Sequence, residues 1–215
     1  MEGFSTIARF FQEGGLFMYF ILGIFALGVA IAIERFIYLT AAKVGSRKMW
    51  NNMVPLLQAG QIDQALELAN NSTASIGHMI AYGLNRIKDK ARNRGEVETA
   101  MEEGLMEVIP RLEKRTHYLA TLANIATLMG LLGTIIGLIQ AFTAVASADP
   151  SQKADLLSSS ISVAMNTTAF GLMAAIPLLL THALLTTKTT ELVDSFEMAA
   201  VKFLNIITKK SGSGA

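Results

Sequence analysis

Two stretches of this chain place oxygen-bearing side chains inside otherwise apolar sequence. Thr127 and Thr134 lie within Leu119–Ala148, thirty residues without a charge, and Asn166, Thr167 and Thr168 lie within Leu156–Thr187, which holds no Asp, Glu, Lys or Arg. Hydroxyl and amide oxygens can ligate a cation or accept a hydrogen bond, but they do not take up and release protons near neutral pH. A carboxylate that could do so is missing from both stretches. If these segments conduct ions, the ionisable group must be supplied from elsewhere. The competing reading is structural, because Thr and Ser in membrane helices also bond back to their own helix or join neighbouring helices.

Glycines accompany the hydroxyls. Gly130-Leu131-Leu132-Gly133-Thr134 is followed by Gly137, and Gly171 follows Thr168. On a helix Gly133 and Gly137 stack one above the other and admit a neighbouring backbone, while Thr127 and Thr134 share nearly one face. These are helix-packing positions beside a polar seam.

The elements that must carry them are membrane spans. A helix needs roughly 20 apolar residues to cross the hydrocarbon layer, within which its backbone polar groups must be satisfied internally. Three segments are long enough: 15–39, 119–148 and 156–187. The first is preceded by a mixed-charge stretch and ends in Glu34-Arg35 without a small-residue cleavage pattern, so it does not read as a secretory signal. A hydrophobic content of 52% and a mean hydropathy of +0.43 agree. The expected fold is an all-α integral membrane protein with three transmembrane helices.

Charge orients the spans. The insert 40–118 holds eleven Lys/Arg, whereas Arg9 stands alone before the first span and Lys153 alone in the loop 149–155. The positive-inside rule places the insert and the C-terminal helix and tail 188–215 in the cytoplasm, with the N-terminus periplasmic. Glu34 and Arg35 mark the membrane boundary. Residues 1–14 carry Phe4, Ile7, Ala8 and Phe11 at helical spacing and read as an interfacial amphipathic helix. Within the insert, Gly60–Ala69 reads as a helix after a turn at Gly60, burying Ile62, Ala65, Leu66 and Ala69, and Ile76–Ile87 as another. From Glu96 an acid-then-base run leads into the second span without a linker, which suggests one long helix projecting into the cytoplasm, bent near Pro110. Ser211–Ala215 reads as a flexible tail.

Enzyme chemistry finds no support. Cysteine is absent, which excludes thiol chemistry, and His78, His117 and His182 fall on separate elements. His182 reads as an interfacial histidine, with proton relay the alternative. No phosphate loop or metal-ligand spacing occurs, no cofactor is implied, and a net charge of +1 suggests no nucleic-acid partner.

At Gly130–Thr134 with Gly137, and at Thr168-Ala169-Phe170-Gly171-Leu172 leading into Ala174-Ala175-Ile176-Pro177, the chain resembles the MotA/TolQ/ExbB family of ion-channel subunits. Three spans with the insert after the first resemble its TolQ/ExbB branch. The resemblance implies a homopentamer in the bacterial inner membrane, surrounding helices of a small single-span ExbD- or TolR-like protein. That partner's aspartate would be the missing acid, facing Thr134 and Thr168, and a TonB- or TolA-like energy transducer would receive the work. Two departures stand out: Thr127 occupies a position where many relatives carry proline, and Val163 one where well-known relatives carry glutamate. The paired Thr167-Thr168 is similar to sodium-type flagellar stators, which opens sodium beside the proton as coupling ion. The alternative function is a structural membrane scaffold without ion conduction.

Overall fold

The computed structural model describes residues 15–89 and 94–212, and among these every regular element is helical. Helix α1 spans Leu16–Ala59, α2 Ile62–Asn70, α3 Ser75–Lys88, α4 Arg94–Glu113, α5 Thr116–Ser147 and α6 Lys153–Gly212. The expected interfacial helix at 1–14 lies outside the described residues. Segments long and apolar enough to cross a membrane occur in α1, in the run Arg94–Ser147 and in α6.

Two helices run on past the expected span ends, and one expected helix is interrupted. Helix α1 continues twenty residues past position 39, through Pro55, so the insert begins as an extension of the first span. Gly60 stops it: with φ +76° it takes the left-handed conformation that glycine tolerates, and the N–H groups of Gly60 and Gln61 close onto the carbonyls of Leu57 and Leu56. The third span and the C-terminal helix form one helix of 60 residues, since no residue between them breaks the ladder. The expected single helix from Glu96 into the second span is instead two. Pro110 stays inside α4, and the break falls at Lys114–Arg115, where Arg115 adopts φ +67°. A non-glycine residue in that conformation interrupts a helix more effectively than this proline does.

The chain forms two compact units, one of residues 15–34 with 115–184, the other of 35–114 with 185–212. In the second unit α2 packs on α3 and α3 on α4. Ala65, Leu66 and Ala69 are buried as expected, whereas Ile62 is half-buried. Met53, Leu57, Met79, Ile80, Leu84, Met101, Leu112, Phe196 and Phe203 fill the core of this unit. Ion pairs lie on its outside, including Lys88–Asp63 at 2.9 Å and Lys43–Glu191 at 3.0 Å.

The first unit buries Met18, Ile21, Leu119 and Leu178, but much of its interior is small. Its buried residues include Ala123, Ala126, Ala141, Ala164, Ala174 and Ala175, while Leu128, Leu131, Ile135, Ile139 and Phe142 of α5 are exposed. So much apolar surface facing outward marks helices that meet lipid or further protein.

Candidate functional site

The seam between α5 and α6 exists because glycine removes the side chain at the crossing. A Cβ on Gly171 would lie 2.8 Å from the Ala126 carbonyl oxygen, and one on Gly130 would lie 3.2 Å from Cα of Thr168 and 3.3 Å from Cα of Gly171. Gly137 faces Ala164, whose Cβ would be 3.0 Å from an added methyl, and Gly133 meets Cγ2 of Thr167. All four glycines singled out in the sequence therefore serve one contact within the chain. A second copy would have to use other surface.

The hydroxyls follow from this approach. Thr168 donates its O–H to the Gly130 carbonyl at 2.9 Å, joining α6 to α5. The others bond within their own helices: Thr127 to the Ala123 carbonyl at 3.1 Å, Thr134 to that of Leu131 at 2.6 Å and Thr167 to that of Val163 at 3.0 Å. A hydroxyl has one proton and two lone pairs. With each proton committed to a backbone carbonyl, what Thr127, Thr134 and Thr168 have left to offer a visitor is oxygen lone pairs. Such a surface accepts a hydrogen bond from a protonated carboxyl, or ligates a cation. It has no proton to give a carboxylate unless an existing bond breaks.

The predicted residues are not equally placed. Thr127, Thr134 and Thr168 are half-buried, as an accessible seam requires, whereas Thr167 is 2% exposed with its methyl against Gly133. Asn166 is half-buried too, but two residues before Thr168 puts it about 200° around α6, so those two do not share a seam. Val163 sits 3.9 Å from a Cβ built on Gly15, at the start of α1.

The boundary pair proves to be two separate contacts. Neighbouring residues on a helix do not face each other. Glu34 accordingly pairs with Arg115, Oε2 to Nη1 at 3.9 Å. Arg35, 2% exposed, donates from Nη2 to the Leu112 carbonyl at the end of α4 and lies 4.6 Å over the Tyr38 ring. The last carbonyls of a helix lack intrahelical partners, and a guanidinium supplies one here. Arg35 is thus a buried structural cation, which adjacency to Glu34 in sequence conceals.

The family model of the MotA/TolQ/ExbB proton channel family matches residues 71–198, a stretch that contains the whole α5–α6 seam. An ExbB homolog of Methanothermobacter thermautotrophicus, described as a biopolymer transport protein, is 29% identical over 197 residues, 91% of this chain and 68% of that one. The Tol-Pal system protein TolQ of Haemophilus influenzae is 29% identical over 112 residues, 52% of this chain and 49% of its own. The biopolymer transport protein exbB1 of Vibrio cholerae is 44% identical over 59 residues, 27% of this chain and 26% of its own. With apolar helices long enough to span a bilayer, a glycine-seated hydroxyl seam and a family match across more than half its length, this chain belongs to the MotA/TolQ/ExbB proton channel family.

Proposed function

We propose that the chain is the channel and motor subunit of an inner-membrane complex of the ExbB–ExbD or TolQ–TolR kind, in which ion flow energises transport or mechanical work at the cell envelope. The observation that carries this reading is the acceptor-only seam of Thr127, Thr134 and Thr168, in spans that hold no carboxylate. A small single-span partner supplies an aspartate to that seam. When protonated, the carboxyl donates to a threonine lone pair; when ionised, it holds a cation beside the same oxygens. Five copies of the chain surround the partner helices, the insert and C-terminus are cytoplasmic, and a TonB- or TolA-like transducer takes up the work. A sodium ion, which needs several oxygen ligands at once, is served by the same cluster as a proton carried on the acid. Val163 removes the second acid from the route.

A purely structural scaffold is the second reading, favoured by the Thr168 bond to Gly130, which would serve helix packing alone. Thr134→Val and Thr168→Val separate the two, since valine keeps the shape and deletes the hydroxyl. Each should abolish ion-driven activity of the reconstituted complex while assembly persists, whereas Ser162→Ala should change little. Wild-type activity in both valine variants would leave the scaffold reading. Running the same assay in sodium-free medium under a maintained proton gradient decides the ion: undiminished activity gives sodium no necessary role.

A further inference from the structure

A cavity of about 230 Å³ opens between α1, α3 and α6 in the second unit. Its walls are apolar: Trp50 of α1, Ile76 of α3, and Leu192 and Met198 of α6. Its charges are all of one sign, Lys43, Arg47 and Lys202, and no carboxylate lines it. Lys43 is partly neutralised by Glu191, whereas Arg47 and Lys202 make no ion pair among the described residues. Ser46, also in the lining, is 3% exposed, and its hydroxyl meets no hydrogen-bond partner among the described residues. A buried hydroxyl without a partner is costly to maintain, and native structures rarely keep one unless something satisfies it.

We infer that this cavity binds an anionic amphiphile, a single carboxylate or phosphate head on a short apolar tail. The head matches Arg47, Lys202 and the Ser46 hydroxyl, because guanidinium and ammonium groups make their strongest hydrogen bonds to such anions. The tail matches the aromatic and aliphatic walls. Volume sets its length, since drug-sized ligands occupy roughly 300–1,000 Å³ and this cavity is smaller. A bound amphiphile would tie α1, α3 and α6 together. The site stands independently of ion conduction through the spans.

Trp50 is the only tryptophan in the chain, so its emission reports on this cavity directly. The full-length protein in neutral-lipid nanodiscs should give a saturable emission change with hexanoate and with hexyl phosphate, and none with hexyltrimethylammonium. The double variant Arg47→Gln, Lys202→Gln should weaken both by about tenfold or more while helix content is unchanged, since both side chains are exposed. Ser46→Ala should weaken them less. Repeating the titration in anionic-lipid nanodiscs separates two sources of the head group: an undiminished response assigns a soluble amphiphile, a lost response assigns a lipid, and either upholds the site. A flat titration, an equal response to the cationic amphiphile, equal saturable binding of inorganic phosphate alone, or wild-type binding in the double variant would overturn it.

Discussion

The two units of this chain solve the packing problem in opposite ways. In the second, large side chains go inside: Phe196, Phe203, Met53, Met79 and Met101 are buried, and Asp, Glu, Lys and Arg pair on the outside. That is how a protein packs when water drives apolar groups together. In the first, alanine and glycine form much of the buried contact, beside Met18, Ile21, Leu119 and Leu178, and many leucine, isoleucine and phenylalanine side chains face out. Lipid tails are as apolar as leucine, so burying leucine there yields little, and close backbone approach with hydroxyl-to-carbonyl bonds must hold the helices instead. The same distinction says where function can reside, because a seam made of small residues leaves hydroxyl oxygens within reach of a visitor.

The strongest test of that contrast removes a core aromatic from the second unit. Phe203→Ala should destabilise by about 3–5 kcal/mol in denaturant unfolding of the detergent-solubilised protein. A loss below ~1 kcal/mol would mean this unit does not rely on a hydrophobic core. In the first unit, adding a single methyl should hurt: Gly171→Ala meets the Ala126 carbonyl, a backbone atom that cannot swing aside, and should cost about 1–3 kcal/mol. Gly23→Ala is the control, as open space surrounds that position, and it should stay within about 0.5 kcal/mol. Equal effects at 23 and 171 would contradict the glycine-seated seam.

Smaller still is the expected stability change for Thr168→Val. The Gly130 carbonyl keeps its helical partner when the hydroxyl goes, so the loss should be about 0.6 kcal/mol, typical of interhelical hydrogen bonds in membranes. A large functional loss beside this small one is what distinguishes an ion contact from a packing residue. A stability loss matching the functional one would favour packing.

The smallest effect concerns surface electrostatics of the second unit. Tyr82 donates its phenol to Glu107 at 2.7 Å, and this bond, together with the carboxylate's charge, raises its pKa above the usual 10.0. A raised pKa means the contact supports the fold below the unfolded value and is lost as pH climbs through the folded one. Glu107→Gln should return the alkaline absorbance titration of Tyr82, isolated by difference from Tyr82→Phe, toward 10.0. No downward movement would show that Glu107 is not the cause.

Local chemistry was legible in the sequence wherever a residue acts through its own helix. Uncharged runs announced the spans, Gly60 announced a turn, and the 3.6-residue period announced the buried face of α2 at Ala65, Leu66 and Ala69. Helix α6 ran on past residue 187 because nothing in its sequence forbids it, yet no local signal says that a helix must end at a membrane surface. Pro110 read as a bend within one continuous helix, but an interruption came at Arg115, an L-residue with no sequence preference for φ +67°.

The composition and order of the residues by themselves pointed to a helical membrane chain, with hydroxyls and glycines set among apolar residues in two stretches free of acid. Only the tertiary structure decided what those hydroxyls and glycines do. It assigned the glycines to a contact inside one chain, and it aimed the Thr168 proton at the Gly130 carbonyl while Thr134 turned to its own helix. It also left Ser46 buried without a partner in a cationic cavity that three distant segments assemble. The physical reason is the same in each case. A helix dictates the direction of its side chains from its own sequence, but which donor meets which acceptor depends on the distance between two helices, and that distance is set by the side chains missing from both.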